Sequence, residues 1–315
     1  MMAGLRMIGT GARAGSRRVS NAGLCTRLDS SDEWIRTRTG IYARHLAGPG
    51  ERVEDLAAAA ARQALDRAAI DPATISLVIV ATFSPAGRMP AVATGLVGAL
   101  GLGEGVLAFD LNGACTGFVQ ALDCARSFLA TRPAGQRALV VGAEIISRWV
   151  DWDDRGTAVL FGDGAGAVIV EQASTLYASQ FGVRTQPEAL AVQPDATGRS
   201  VVRMDGQAIF RFALRQVPAL IRDLTDRAGL APAAVSHFIL HQANGRILDK
   251  VAQHLDLPKD RFYLNIGELG NTSAASIPLA LDQWMTEKPP VGGEKVVLAG
   301  FGAGLTWGGI IFEWS

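Results

Sequence analysis

Two kinds of apolar pattern alternate along this chain. Short β-branched runs bounded by turn residues, typical of buried strands, stand at 75–82, 107–111, 138–142, 157–161, 167–171, 237–240, 295–299 and 309–314. Longer runs with apolar residues at helical spacing predict helices over 53–69, 118–130, 210–228, 247–255 and 274–285. Strands that alternate with helices indicate an α/β fold. The polar stretch 172–200 is predicted to be an irregular surface excursion.

The same order of parts occurs in each half of the sequence. A glycine-rich segment opens a helix, a strand follows, and a second glycine-rich segment leads into a further strand. In chain order these segments are 113–117, 161–166, 270–273 and 301–305. We therefore expect two duplicated halves, 1–170 and 171–315, packed about a pseudo-twofold axis.

Composition and charge narrow the class of protein. The 315 residues carry 30 Lys+Arg and 30 Asp+Glu, so the formal net charge is zero and a basic field for nucleic acid is not expected. No run reaches the ~18 apolar residues of a membrane span, and the start of the chain lacks the apolar core of a signal peptide. Three cysteines do not suit a disulfide scaffold. We expect a cytoplasmic protein that binds neither nucleic acid nor membrane.

Two glycine clusters resemble nucleotide-binding loops. A dinucleotide fingerprint requires a helix after its glycines, but strand-like residues follow both 162–166 and 302–304. Tight hairpins are therefore the better interpretation of both clusters. The four histidines form no zinc-binding spacing with one another or with the cysteines, so no metal site is expected.

Cys115 is the candidate nucleophile. It stands in Gly-Ala-Cys-Thr-Gly at 113–117, directly after a predicted strand. Glycines around a nucleophile allow a sharp turn from strand to helix that presents the side chain. The positive end of the helix is expected to lower the pKa of the thiol. The alternative is a small buried hydrophobic residue, which is the interpretation preferred for Cys25 and Cys124.

Two further residues are candidate partners of this cysteine. His241 follows the predicted strand 237–240, and ligands of α/β sheets bind at the carboxyl ends of strands. Asn271 precedes a predicted helix, and the alternative interpretation is that it is a helix cap with no role in a site. Its position is taken to match that of Cys115 in the other half, which favours a shared site where the two helix N-termini converge.

Several motifs together resemble β-ketoacyl-acyl-carrier-protein synthase III, a thiolase-like condensing enzyme. The resemblance covers nearly the whole chain, and in chain order its segments are 31–41, 114–118, 154–156, 161–165, 241–244, 270–275 and 302–308. It implies a duplicated, five-layered αβαβα thiolase-like fold. It also implies that Cys115 accepts an acyl group from coenzyme A and that His241 and Asn271 hold malonyl-acyl carrier protein during decarboxylation.

The resemblance assigns further roles. The backbone N–H groups of Cys115 and Ala303 would form an oxyanion hole, and Met89 and Phe161 would belong to the acyl pocket. Coenzyme A, a substrate rather than a cofactor, would contact Trp34, Arg38, Arg155, Gln207, Asn244 and Arg246, with the adenine held between Trp34 and Arg155. The acidic carrier protein would meet Arg211, Arg246 and Lys250. No cofactor is implied, and a homodimer is expected.

Substrate choice stays open at this stage. Met89 occupies a position where some relatives have an aromatic residue, so the pocket is predicted to accept more than acetyl groups. A related enzyme of secondary metabolism, with a different acyl donor or acceptor, is the main alternative. A cysteine hydrolase and an inactive scaffold partner are further alternatives. The intact set of Cys115, His241 and Asn271 favours decarboxylative condensation over these.

Overall fold

A computed structural model describes residues 4–315. Its strands are β1 (Gly4–Ala14), β2 (Arg17–Ser20), β3 (Ala43–Leu46), β4 (Ile75–Ala81), β5 (Leu107–Leu111), β6 (Arg137–Glu144), β7 (Gly164–Ala173), β8 (Tyr177–Val183), β9 (Leu190–Pro194), β10 (Ser200–Met204), β11 (His237–Leu240), β12 (Lys295–Gly302) and β13 (Thr306–Glu313). Its α-helices are α1 (Asn21–Leu24), α2 (Asp32–Thr39), α3 (Val53–Ala68), α4 (Val92–Leu100), α5 (Gly117–Leu129), α6 (Arg155–Ala158), α7 (Gly206–Arg227), α8 (Gly245–Leu255), α9 (Ile266–Leu269) and α10 (Ser276–Glu287).

Two mixed sheets form the framework. The first has the order β1-β7-β6-β4-β5, in which β6, β4 and β5 are parallel and β1 and β7 are antiparallel to their neighbours. The second has the order β11-β12-β13-β8, with a parallel β11–β12 pair. Two short antiparallel strand pairs, β2–β3 and β9–β10, lie outside these sheets.

Helices cover both sheets and fill the space between them. The apolar faces of α3 and α4 pack on the outside of the first sheet. Helices α5 and α10 lie between the sheets, where Phe118 and Trp284 are almost completely buried among side chains of both. Helices α7 and α8 cover the outside of the second sheet. The result is the predicted five-layered α/β arrangement.

Most predicted elements are confirmed, but the strand predicted over 157–161 is wrong. Helix α6 occupies Arg155–Ala158, and Phe161 makes only an isolated bridge to Asn271. Asp154 explains the difference because its carboxylate caps the turn, accepting hydrogen bonds from the N–H of Gly156 at 2.8 Å and the hydroxyl of Thr157 at 2.8 Å. This side-chain cap outweighs the strand preference of the apolar run that follows.

The two glycine clusters have different outcomes. The cluster at 302–304 joins β12 to β13 as the predicted hairpin. The hairpin predicted at 162–166 is wrong because no strand precedes it. A strand rather than a helix nevertheless follows those glycines, since β7 begins at Gly164.

The segment 172–200 is more regular than predicted. It contains β8, which pairs with β13 at the edge of the second sheet, and β9, which pairs with β10. The first sheet is built from strands up to residue 173 and the second from strands after residue 176. The division into duplicated halves at 170/171 stays a proposal. No helix within residues 4–315 is long and apolar enough to cross a membrane.

Candidate active site

Cys115 lies in a tight turn between a strand and a helix. Strand β5 ends at Leu111, a 3-10 turn spans Ala114–Thr116, and α5 begins at Gly117. Ala114 has a φ of 44°, in a left-handed region that residues with a β-carbon rarely adopt. Such strained backbone concentrates at functional sites, where the surrounding packing holds it in place. The turn therefore presents Cys115 as its glycine frame predicts.

The surroundings of the Cys115 thiol differ from the prediction. Burial raises the pKa of Cys115 to about 11, and the charge of Glu144 acts in the same direction. A hydrogen bond with the Ser273 hydroxyl, 3.4 Å from Sγ, lowers this pKa only in part, as do the backbone N–H groups of Cys115 and Ala303. The predicted lowering of the pKa is wrong because desolvation of the thiolate outweighs the favourable groups.

His241 follows the carboxyl end of β11 and is buried, with 1% of its surface exposed. Its Nδ1 lies 2.7 Å from the hydroxyl of Ser276, the first residue of α10. The ring packs edge-to-face on Phe301, with ring centroids 5.3 Å apart. Burial lowers the pKa of His241 to about 3. The imidazole is therefore neutral at physiological pH, as the expected chemistry requires.

Asn271 is held by its backbone and by its side chain. Its N–H donates to the carbonyl of Leu160 at 2.8 Å, and its carbonyl accepts from the N–H of Gly162 at 3.0 Å. Its side-chain Oδ1 accepts from the N–H of Ser273 at 2.9 Å. Because a backbone N–H can only donate, this bond fixes which end of the amide is oxygen. The Nδ2 group is left to donate to a bound molecule.

The match between Asn271 and Cys115 in the two halves is not what the structure shows. The second half repeats the turn of Cys115 as a 3-10 turn, Ser273–Ala275, followed directly by α10. Ser273 begins this turn with a φ of 47°, as Ala114 begins the first. The residue equivalent to Cys115 is thus Ala274, and Asn271 stands three residues before Ala274, ahead of the turn.

Cys115, His241 and Asn271 line one cavity of about 200 Å³. Its other walls include most of the residues expected to bind coenzyme A, namely Trp34, Arg38, Arg155 and Asn244. The guanidinium carbons of Arg38 and Arg155 each lie 4.6 Å from the centre of the Trp34 ring. Arg155 thus stacks directly on Trp34, and an adenine between them requires Arg155 to move away.

The other residues expected to bind coenzyme A or the carrier protein lie outside this cavity. Gln207 is exposed in the first turn of α7, next to the lining residues Gly206 and Ile209. Arg246 is exposed at the start of α8, with its guanidinium carbon 5.9 Å from the Phe210 ring centre. Arg211 and Lys250 are also exposed, on α7 and α8 respectively.

A second cavity, of about 360 Å³, meets the first at Cys115 and Phe161. Its wall is mainly apolar and contains a stacked pair, Phe83 and Trp149, whose ring centroids lie 5.3 Å apart. Phe161 lines both cavities. Met89 lines neither cavity and is 87% exposed.

Several residues of the site were missed by sequence reasoning. Ser273, Ser276, Phe301 and Gly302 surround Cys115 or His241, and Phe83 and Trp149 line the second cavity. Ser273 and Ser276 lie within a few residues of Asn271, so repetition of the Cys115 turn is a signal that could have found them. The aromatic pair joins distant parts of the chain, and no spacing in the sequence indicates it.

Comparisons with known proteins agree over the whole chain. The family described as 3-oxoacyl-[acyl-carrier-protein (ACP)] synthase III matches residues 109–185, and its C-terminal counterpart matches residues 225–314. A β-ketoacyl-[acyl-carrier-protein] synthase III of Thermosynechococcus vestitus is 42% identical over 99% of this chain and 99% of its own.

Solved structures show the same relationship. The 3-oxoacyl-[acyl-carrier-protein] synthase III of Aquifex aeolicus VF5 is 39% identical, with a TM-score of 0.92 over 99% of this chain and 100% of its own. The priming β-ketosynthase of the R1128 polyketide biosynthetic pathway is 34% identical, with a TM-score of 0.93 over 98% of this chain and 96% of its own. The chain therefore belongs to the β-ketoacyl-[acyl-carrier-protein] synthase III family, the condensing acyltransferases that initiate fatty acid biosynthesis.

Proposed function

We propose that this enzyme joins an acyl group from acyl-CoA to malonyl-acyl carrier protein, with Cys115, His241 and Asn271 as its catalytic residues. The observation that carries the proposal is the convergence of these three side chains on one cavity. A thiol, a neutral imidazole and an amide N–H₂ supply a nucleophile and two hydrogen-bond donors without a buried charge.

In the first half-reaction Cys115 takes up the acyl group. Its sulfur attacks the thioester carbonyl of acyl-CoA, and the bond from the carbonyl carbon to the sulfur of coenzyme A breaks. The proton of Cys115 leaves with coenzyme A as the free thiol. The N–H groups of Cys115 and Ala303, both of which act on the Cys115 sulfur, are proposed to stabilise the oxyanion of the tetrahedral intermediate.

In the second half-reaction malonyl-acyl carrier protein loses carbon dioxide. The electron pair of the broken carbon–carbon bond forms an enolate, whose oxygen accepts hydrogen bonds from His241 and from Nδ2 of Asn271. The enolate carbon attacks acyl-Cys115 and expels the Cys115 thiolate, which takes up one proton. The product is 3-ketoacyl-acyl carrier protein, and neither half-reaction requires an oxidant or a reductant.

The two cavities support separate roles for the two ends of acyl-CoA. The first cavity would hold the pantetheine arm, with the nucleotide at Trp34, Arg38 and Arg155. The second would hold the acyl chain, because its wall is apolar and it reaches Cys115. At about 360 Å³ this cavity has room for acyl groups larger than acetyl.

Surface features support the proposed partners. Arg211, Arg246 and Lys250 are exposed cations on α7 and α8, the two helices whose first turns line the first cavity, and they suit an acidic carrier protein. Strand β5 is the edge of the first sheet, and Leu107 on it is 49% exposed. An open apolar edge is a ready template for pairing with a second copy, so we propose a homodimer. Changing Leu107 to Arg is expected to shift the molecular mass measured by light scattering to that of one chain.

The decisive experiment is intact-protein mass spectrometry after exposure to a panel of acyl-CoAs. Cys115→Ala is expected to abolish the acyl adduct, whereas Cys124→Ala, which removes an exposed thiol, is expected to leave it unchanged. Addition of malonyl-acyl carrier protein should then discharge the adduct as 3-ketoacyl-acyl carrier protein. An adduct that persists in Cys115→Ala would overturn the assignment of the nucleophile.

The fate of the adduct separates the alternatives. Discharge to water alone would identify a hydrolase, since a condensing enzyme must exclude water from the acyl-cysteine. The likeness to a priming ketosynthase of a polyketide pathway favours one second candidate, condensation with a different acyl donor or acceptor. A donor preference outside the short acyl-CoAs, or discharge only to another carrier protein, would support that candidate. The required free thiol suits a reducing compartment, so the cytoplasm is the proposed location.

A further inference from the structure

The hydroxyl of Ser276 is placed to act on the imidazole of His241. Ser276 is the first residue of α10 and is 1% exposed, as is His241. The Ser276 Oγ lies 2.7 Å from Nδ1 of His241, within ordinary hydrogen-bond distance. This contact leaves the other ring nitrogen, Nε2, as the one available to a bound substrate.

A neighbouring backbone group indicates the direction of this hydrogen bond. The N–H of Gln242 also points at the Ser276 Oγ, at the longer distance of 3.4 Å. A backbone N–H can only donate, so the hydroxyl is an acceptor in that contact. Among residues 4–315 the Ser276 Oγ has no other hydrogen-bond partner than these two. Its own hydrogen therefore has one acceptor within reach, Nδ1 of His241.

The opposite direction leaves a buried group unpaired. If Nδ1 carried the proton and donated to Ser276, the hydroxyl would accept twice and its hydrogen would have no acceptor. Buried polar hydrogens without an acceptor are rare in folded proteins because they lose their bond to water. The hydrogen-bond pattern thus favours the tautomer of His241 with Nδ1 unprotonated and the proton on Nε2.

We propose that Ser276 is a positioning residue that keeps the proton of neutral His241 on Nε2, facing the malonyl substrate. The role in catalysis rests on the function proposed above, while the tautomer is a property of the free protein. In this tautomer Nε2 donates to the enolate oxygen. In the other tautomer Nε2 would direct a lone pair at the same oxygen and repel it. The edge-to-face contact with Phe301 holds the plane of the ring.

The tautomer can be measured directly. The chain has four histidines, so histidine labelled with ¹⁵N gives few signals, and the His241 pair is assigned as the one absent from His241→Gln. In the wild-type enzyme near pH 7 we expect an unprotonated Nδ1 and a protonated Nε2. In Ser276→Ala we expect the proton to stay on Nε2 but the ¹⁵N signal of Nδ1 to shift, because that nitrogen loses the hydrogen bond it accepts from the hydroxyl. A protonated Nδ1 in the wild type, or an Nδ1 signal unchanged in Ser276→Ala, would overturn the proposal.

Kinetics of the two half-reactions give a second readout. Ser276→Ala is expected to slow decarboxylative condensation roughly 10- to 100-fold, the range seen when an outer partner of a metal-bound histidine is removed. Acyl loading of Cys115 should change less than about threefold, because the enolate forms only in the second step. Ser276→Thr retains the hydroxyl and is expected to restore most of the condensation rate. Equal slowing of both steps would indicate a merely structural role and overturn the proposal.

Control variants distinguish a failure of this proposal from misfolding of a variant and from a failure of the proposed function. Thr225→Val removes another buried hydroxyl, which donates to the Ile221 carbonyl on α7, and is expected to alter neither the His241 signals nor either half-reaction. If Ser276→Ala does not fold, the wild-type and Ser276→Thr spectra still decide the tautomer. If malonyl-acyl carrier protein proves not to be a substrate, the proposed function fails, whereas the ¹⁵N spectra still test the hydrogen bond.

Discussion

Gly302 lies so close to Cys115 that a β-carbon built on Gly302 would stand 2.9 Å from the Cys115 sulfur. The position is the last residue of β12, and the sulfur and β-carbon of Cys115 fill the space that any other side chain at 302 would need. A side chain there would displace the sulfur, and displacement of a reacting atom by about 1 Å can slow a reaction about 100-fold.

We therefore predict that Gly302→Ala slows acyl loading of Cys115 by at least about 10-fold, measured by mass spectrometry at short times. Gly98→Ala is the matched control because Gly98 lies exposed on α4 and a β-carbon built there would have open space around it. Ala at that helical position is expected to stabilise the protein by about 0.5–1 kcal/mol without changing the loading rate. A rate of acyl loading in Gly302→Ala equal to that of the wild type would contradict the tight fit between Gly302 and the Cys115 sulfur.

The stack of Arg155 on Trp34 gives a prediction about nucleotide binding. Stacking of a base on an aromatic side chain contributes about 1–3 kcal/mol by alanine substitution. Trp34→Ala is therefore expected to raise the KM for acyl-CoA roughly 10- to 100-fold, with little change in kcat. An acyl-pantetheine donor, which lacks the adenine, should show nearly the same KM with both enzymes. An equal rise in KM for both donors would show that Trp34 does not act through the adenine.

How much of this site the sequence reveals depends on whether its parts are local in the chain. The strand before His241 is predicted at 237–240 and found there, since a short apolar run between turn residues fixes both its ends. The turn of Cys115 follows from its glycines. In both cases neighbouring residues carry the whole signal.

Properties set by contacts between distant segments could not be predicted in this way. The thiol of Cys115 has a raised pKa because the surrounding fold, with Gly302 of β12 directly against the sulfur, buries it, which its position before a helix does not indicate. Strand β8 escaped detection because it is an edge strand whose polar residues are half-exposed. The cap made by Asp154 is a local signal, but it was outweighed in the interpretation by the apolar run after it.

Met89 gives a prediction about the length of the acyl chain. Its side chain is 87% exposed in a single chain, as expected if it closes the acyl pocket of a second copy. Met89→Phe is then expected to narrow the acyl-CoA preference toward short chains, because a rigid ring replaces an adaptable side chain. The measurement is kcat/KM across a series of acyl-CoAs. Val291→Phe, at another exposed position that lines neither cavity, serves as the control.

One outcome would refute this prediction. It is a wild-type preference confined to acetyl-CoA and unchanged in Met89→Phe. A wild-type preference for longer acyl chains that shifts toward short chains in Met89→Phe, with this variant still a dimer, would support the prediction. It would also support the pairing of two copies through β5.

Glu144, at the end of β6, gives a prediction about stability and pH. It is fully buried, and its carboxylate accepts hydrogen bonds from the hydroxyl of Ser84 and, at 3.3 Å, from the N–H of Phe83. Burial nevertheless raises the pKa of Glu144 from 4.5 to about 8. Between these two values the folded protein binds the proton of this carboxyl more tightly than the unfolded chain does. The contribution of Glu144 to stability therefore falls as the pH rises from 4.5 to 8.

We expect Glu144→Gln to remove this dependence. Between pH 6.5 and 8 the wild-type enzyme should lose about 2 kcal/mol of unfolding free energy that the variant retains, at about 1.4 kcal/mol for each pH unit. Working above pH 6.5 avoids the opposite effect of His241, whose lowered pKa makes the folded state less stable as the pH falls below that value. Urea unfolding at several pH values measures the difference. Glu188→Gln, at an exposed carboxylate, should behave as the wild type. Parallel curves for wild type and Glu144→Gln would show that Glu144 is already ionised at pH 6.5 in the folded enzyme.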